Sequence, residues 1–530
     1  MNKAEWIERN KKYTLTCPES GFTINFAGMK FEDAALDTLK PQFDRAVREM
    51  KNLESGAIKN PDENRQVTHF TDRIDYAKSE LFKEVEAFAA ALRSGAIKGS
   101  TGKNFEYAII NGIGGSALGP QLMQFAINGP YWNELSESKR DNWLKIYFLD
   151  NTDTAGANDV LQVVDLEKTL VASISKSGGT QETKNNMIAM ESAYKKAGLD
   201  FARHACAITM ADSQLDKLAR GANWLKVMEM AESIGGRTSE TSIVGHLPAA
   251  LTGIDFAAFL AGACHMDEWT RNESYCCNPA YMLAAMWYIA GQGKGDRNMV
   301  IVPYADRLVL LSRYFQQLVM ESLGKELDLD GNTVYQGLNV FGNKGGTDAH
   351  AFIQQLNDGR DDFFVTFIEV MEDAAGMPIE GRISMGDFLH GFEAGLSAAL
   401  RGKGRQVIEM SIKKVDEFNL GMIIALYERA VAVYAEFINV NAFHQPGVQA
   451  YKLASKDIID LLNKIEAKLP EMAGFEGGAA DFSTKIACPD DQIEVGGILA
   501  KLADNNDKRE LGVQLSRRWE NGKGWIFTVK

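Results

Sequence analysis

Cysteine and proline are scarce in this chain, basic residues are outnumbered, and the longest uncharged run is interrupted. The 6 cysteines among 530 residues (Cys17, Cys206, Cys264, Cys276, Cys277, Cys488) are too few for a disulfide framework. None stands in a C-x-x-C pair, so zinc-ribbon and thioredoxin-type motifs are excluded and the thiols read as free in a reducing compartment. With 12 Pro, 48 Gly and 45% apolar residues there is no low-complexity bias, which excludes disordered and fibrous classes. Acidic residues outnumber basic ones 71 to 57, and the formal charge of −14 opposes nucleic acid and anionic lipid surfaces. The uncharged stretch from Tyr107 to Asn133 is broken by Gly114, Gly115, Gly119, Pro120 and Pro130, so it cannot be one spanning helix. The start, Met1-Asn2-Lys3-Ala4-Glu5-Trp6, lacks the features of a signal peptide. The predicted location is cytoplasmic.

What is present is room for two to four domains and a repeating order of elements. Residues 1–104 carry mixed charge at helical spacing and read as a helical N-terminal segment. From Phe105 onward short apolar runs (Tyr107 to Ile110, Ile146 to Leu149, Leu170 to Ile174, Ala205 to Ile208) alternate with helical segments, as in a parallel sheet flanked by helices. After an Ala-rich stretch from Ser242 to Ala290, read as buried helices, the pattern restarts at Asn298 to Pro303. The predicted architecture is two tandem α/β domains, 105–285 and 286–470, each a mostly parallel sheet flanked by helices, with a helical C-terminal extension over 471–530.

Two loops point to an anion. Asn111-Gly112-Ile113-Gly114-Gly115-Ser116-Ala117 follows one strand and opens a helix; its glycines let the backbone approach a ligand, helix N–H groups bind negative charge, and Ser116 adds a hydroxyl. It also fits a loose dinucleotide fingerprint, but the acidic residue expected about twenty positions on is missing. Ser175-Lys176-Ser177-Gly178-Gly179-Thr180 has the same placement and three hydroxyls, which suits a phosphomonoester. The plainer readings are a packing turn for the first and a helix cap for the second.

Three further segments hold isolated candidates. Gly235-Gly236-Arg237-Thr238-Ser239-Glu240 sets an arginine in a turn, as an oxyanion stabiliser or a solvated charge. Gln317 and Glu321 share a face of a helix predicted over Arg307 to Leu323, where Glu321 is a base or merely exposed. His350 follows a Gly-rich turn, whereas His265 and His390 read as packed core histidines. Lys452, early in a helix started by Pro446 and Gly447, is snorkelling or functional. No metal spacing and no Ser/His/Asp order is apparent.

Taken in order, G-I-G-G-S, S-K-S-G-x-T, G-G-R, F-Q-Q-x-x-M-E-S-x-G-K (Phe315 to Lys325), T-D-x-H (Thr347 to His350) and Q-P-G-V-x-A-Y-K (Gln445 to Lys452) resemble the glucose-6-phosphate isomerase family over about residues 105 to 460. The resemblance implies two sugar-isomerase (SIS) type domains, no cofactor, a homodimer with shared active sites, and interconversion of glucose 6-phosphate and fructose 6-phosphate in glycolysis and gluconeogenesis. It implies that Ser116, Ser175, Ser177 and Thr180 bind phosphate with main-chain help from Gly115 and Lys176. It further makes Glu321 the base, Arg237 the enediolate stabiliser, Gln317 and Gln445 orienting groups, and His350 and Lys452 the ring openers. Thr238 where the family has an aromatic, His444 for Asp or Asn, and Gln449 for Glu are departures that bear on the shape of the sugar pocket. A non-catalytic phosphosugar sensor of the same fold and a nicotinamide-dependent dehydrogenase are the alternatives.

Overall fold

Apolar runs that end in glycine-rich turns become the strands of two sheets in a computed structural model that describes residues 3–530. Met1 and Asn2, at which the reading of the N-terminal start begins, and the side chain of Gln449 lie outside the described residues. The first sheet is wholly parallel, in the spatial order Lys145–Leu149, Tyr107–Asn111, Thr169–Ile174, Ala205–Thr209, Lys226–Glu229. Its residues alternate between two cores. Ala108, Ile110, Leu170 and Ala172 join Phe88, Val244 and Leu247 on one face, and Ile109, Val171 and Ala207 join Met190 and Tyr194 on the other. Burial on both faces is what makes these strands uninterrupted apolar runs.

The second sheet runs Gln406–Ile412, Phe363–Val370, Asn298–Pro303, Val340–Phe341 in parallel. An antiparallel hairpin, Thr14–Cys17 with Phe22–Asn25, is added on the edge beside Gln406–Ile412. Residues 1–104 are therefore not only helical. Helices Lys40–Glu54 and Glu80–Arg93 match the expectation, but the hairpin belongs to the second sheet. Its period-two burial, with Phe22 and Ile24 inward, spans only four residues and is outweighed in the sequence by the helices around it.

The apolar stretch folds into helices Ile243–Leu251, Phe256–Thr270 and Pro279–Ala290. Helix Glu417–Phe437 packs against the latter two. It is long and apolar enough to cross a membrane, yet 94% of its most apolar window is buried within the protein. On it Arg429 Nη2 lies 3.1 Å from Asp267, whose carboxylate is also held by Arg73 at 2.6 and 2.7 Å. Paired charges in a packed interior identify a core helix.

The chain divides into two compact units, and the second, Gln445–Lys530, is distinct from the remainder. It opens with helix Pro446–Lys468, ahead of the boundary at 471 expected from the sequence. It is also not only helical, since Glu476–Gly477, Gly524–Val529 and Leu515–Glu520 form an antiparallel sheet over a core of Ile465, Phe482, Leu499 and Phe527.

Candidate active site

From Tyr107–Asn111 the chain first adds a strand on one side, Lys145–Leu149, and then crosses to the other side for Thr169–Ile174. The loops after the first and third of these strands flank the point where the winding reverses, which is where open α/β sheets bind ligands. They are the two loops singled out from sequence.

The first loop is held against the arginine turn. A Cβ on Gly115 would stand 1.8 Å from the Gly236 carbonyl oxygen, so only glycine permits this approach. Ser239 Oγ donates to the Gly236 carbonyl at 2.7 Å and reaches the Gly115 carbonyl at 3.5 Å. Gly114, at φ +58°, would place a Cβ 3.0 Å from Gln317 Nε2. Ser116 ends the 3-10 turn Gly114–Ser116.

In the second loop Ser175 Oγ accepts from the Gly178 N–H at 3.2 Å and donates to Thr180 Oγ1 at 3.3 Å, while Ser177 Oγ accepts from the Gly179 N–H at 3.2 Å. Thr180 is the N-cap of helix Gln181–Lys196 but makes no side-chain cap bond, so the capping reading does not account for its hydroxyl. Lys176 Nζ donates to the carbonyls of Glu232 and Ile234, the latter at 3.0 Å, and so ties this loop to the chain entering the arginine turn. Burial, with Arg65 nearby, pulls its pKa down to about 8.

Arg237 and Glu321 meet. Arg237 Nη1 is 3.3 Å from Glu321 Oε1, and Arg237 Nη2 donates to the His444 carbonyl at 3.1 Å. The contact at His444 is through the main chain, so that departure leaves the arginine's anchor intact. The arginine side chain is 6% exposed and the carboxylate 19%. Burial lowers the arginine's proton affinity, and Glu321 opposes the shift. Arg237 Nη1, Glu321 Oε2 and Gln317 Oε1 are buried without a hydrogen-bond partner among the described residues. Unmet polar atoms gathered in this way under a glycine loop suit a polyhydroxylated ligand.

The helix carrying Glu321 differs from the expected Arg307 to Leu323. A 3-10 turn, Asp306–Leu308, leads into α-helix Leu311–Phe315 and then a π-helical turn, Gln316–Glu321. Widened turns of this kind recur at functional sites. Glu321 is the last residue of the wide turn, and Lys325 Nζ donates to its carbonyl at 2.7 Å. Lys325 is 4% exposed, and burial, with Arg237 acting in the same direction, brings its pKa down to about 7. Its only signal in the sequence is its place at the end of the F-Q-Q-x-x-M-E-S-x-G-K motif.

His350 lies on the 3-10 turn Thr347–His350, past the carboxyl end of the second sheet, and is exposed. The turn is fixed from beneath: buried Asp348 accepts from the Asn343 N–H at 3.1 Å, and the Gly345 N–H donates to the Pro303 carbonyl at 2.8 Å. In the second unit Gln445 precedes helix Pro446–Lys468 and Lys452 lies early in it, both exposed. His390 is not a core histidine; it is exposed and paired with Glu369, which raises its pKa. His265 is half-buried against Cys17.

Glu240, three residues beyond Arg237, is 1% exposed, and neither carboxylate oxygen has a hydrogen-bond partner among the described residues. Burial, with the negative charge of Glu428 nearby, raises its pKa well above the ordinary 4.5. The folded protein holds this proton more tightly than the unfolded chain. The stability it supplies is full below pH 4.5 and is lost as pH rises through the elevated value. Glu240→Gln keeps the shape and removes the titration. The variant should match the wild-type melting temperature at pH 5 and exceed it by about 2 °C or more at pH 9, read by differential scanning calorimetry.

A family model described as phosphoglucose isomerase matches residues 44–471. A glucose-6-phosphate isomerase of Gloeothece citriformis is 47% identical over 499 residues, with 92% of each chain covered. One of Geobacter sp. strain M21 is 43% identical over 534 residues, covering 98% of this chain and 99% of the relative. Among solved structures, a glucose-6-phosphate isomerase from Chlamydia trachomatis superposes with a TM-score of 0.76 at 26% identity, covering 86% of this chain and 91% of the other.

Proposed function

The chain belongs to the phosphoglucose isomerase family, and on that premise we propose that it interconverts D-glucose 6-phosphate and D-fructose 6-phosphate with the groups described above. The observation that carries the reading is the contact of buried Arg237 with half-buried Glu321 at 3.3 Å beside the Gly114 loop. A carboxylate takes the proton from the carbon next to the carbonyl, and the guanidinium balances the charge that develops on oxygen. Glu321 then returns the proton to the neighbouring carbon. No net oxidation occurs, so the step requires no nicotinamide. The relatives are named for the isomerase activity, which favours neither the dehydrogenase nor the sensor.

The phosphate is assigned to Ser116, Ser175, Ser177 and Thr180, with main-chain help from Gly115 and Lys176. Ring opening is assigned to His350 and Lys452, and substrate orientation to Gln317 and Gln445, by match to the family's motifs. The 6 free thiols fit a reducing compartment, which supports a cytoplasmic location. A coupled assay on fructose 6-phosphate run in D₂O tests the reaction. Turnover with solvent deuterium appearing on carbon is expected; binding without turnover would support the sensor instead.

The phosphate assignment has its own consequence. A hydrogen bond to a charged group contributes about 1.5–3 kcal/mol, so Ser177→Ala with Thr180→Ala should raise KM at least about tenfold and change kcat little. An unchanged KM would move the phosphate away from this loop.

A homodimer is supported by an exposed apolar arm. Hairpin Pro378–Glu380 with Ile383–Ser384 and the start of helix Met385–Gly402 expose Met377, Ile379, Met385 and Phe392, each more than half accessible. Contiguous apolar surface of this kind marks an interaction site. The natural occupant is the same arm of a second copy.

A further inference from the structure

Cysteine and histidine spacing gives no metal signature along this chain because the ligand set is assembled by folding. Cys17 ends the first strand of the N-terminal hairpin, Glu19 stands in its turn, and His265 lies on helix Phe256–Thr270. Cys17 Sγ is 3.1 Å from His265 Nε2 and 3.4 Å from Glu19 Oε2, and one ligand atom from each residue lies within 4.8 Å of the others. An ion about 2.3 Å from sulfur and about 2.0–2.1 Å from nitrogen and oxygen, at tetrahedral angles, sets S···N and S···O edges of about 3.5–3.6 Å. The observed edges fall a few tenths of an ångström short, so a small side-chain adjustment opens the triangle around an ion.

The chemistry of the set narrows the ion. Thiolate and imidazole disfavour magnesium and calcium, which take oxygen ligands, and suit zinc. Cys17 is buried, His265 half-buried and Glu19 exposed, so the cluster has a closed side and a side open to water. We propose that Cys17, Glu19 and His265 bind one Zn²⁺, with water in the fourth position, and thereby clamp the N-terminal hairpin to helix Phe256–Thr270. On binding, the Cys17 S–H bond breaks, its proton passes to solvent, and a Zn–S bond forms; no electrons are transferred. None of the three residues belongs to the isomerisation machinery, so the expected role is to stabilise the hairpin and the sheet edge it covers.

The test uses the full chain, stripped with a chelator and titrated with Zn²⁺ alone in competition with a chromophoric chelator. Cys276 and Cys277, exposed and 3.9 Å apart at sulfur, are both changed to Ser in the background so that they do not contribute. One Zn²⁺ per chain is expected, with a raised melting temperature, and Co²⁺ in its place should show thiolate-to-cobalt charge-transfer absorption. Cys17→Ser and His265→Gln should weaken binding by more than the roughly 10- to 100-fold that an outer-shell change costs. Because those changes touch packed positions, exposed Glu19→Gln is the deciding variant: it should weaken Zn²⁺ binding and leave the isomerase rate unchanged. No Zn²⁺ binding by the parent chain, or binding undiminished in Glu19→Gln, would mean that the three residues form only a hydrogen-bonded chain and would overturn the proposal.

Discussion

Glu321→Gln is expected to lower kcat by about 10²- to 10⁴-fold, the range that a positioned general base contributes, while KM for the phosphosugar changes little. Glutamine keeps the shape and the approach to Arg237 Nη1, now 3.3 Å from Glu321 Oε1, but cannot carry a proton between two carbons. The loops proposed to hold the phosphate are not touched by the change, so affinity should survive. Steady-state assays in both directions, with deuterium exchange from solvent into bound sugar, separate the two effects. The exchange should vanish together with turnover. A variant that retains a tenth of wild-type turnover would remove Glu321 from the role of base and leave Lys325 or a water-borne route to be considered.

How far this site could be read beforehand depended on whether its parts are local in sequence. The two loops proposed to hold the phosphate are each contiguous, lying between a strand and its helix, so residue type and spacing point to an anion without help from the rest of the chain. Arg237 and Glu321 are different. Each alone reads as an ordinary surface charge, and only the docking of the first loop on Gly236, with the widened turn Gln316–Glu321, brings the two together. The wide turn itself had no sequence signal, because a π-helical segment carries the same apolar pattern as the α-helix it interrupts. The hairpin Thr14–Cys17 with Phe22–Asn25 was hidden for a related reason: its partner strand, Gln406–Ile412, lies near the other end of the chain. Lys325 and Glu240 were visible as letters in motifs, but their meaning lies in burial, which brings the pKa of Lys325 down to about 7 and raises that of Glu240 well above its ordinary value.

The position of His350 leads to the other large effect. Its side chain is exposed on a turn tied down by Asp348, at the carboxyl end of the second sheet, whereas Arg237 is buried with Glu321 half-buried beside it. An exposed ring is open to a neighbouring molecule, and the apolar arm around Ile379 and Phe392 offers a surface for the second copy proposed above. If each site joins Glu321 and Arg237 of one chain to His350 of the other, then Glu321→Gln and His350→Ala homodimers are both inactive. A heterodimer of the two concentrates both lesions in one site and leaves the second intact, since a two-fold interface makes the sites equivalent. Random reassociation yields about half heterodimers with one working site of two, so co-refolding the variants should restore roughly a quarter of wild-type activity from two nearly inactive stocks. Native mass spectrometry of the mixture establishes that heterodimers have formed. If they have and activity stays at the level of the parents, His350 works within its own chain or does not take part, and the dimer is needed for something other than completing the site.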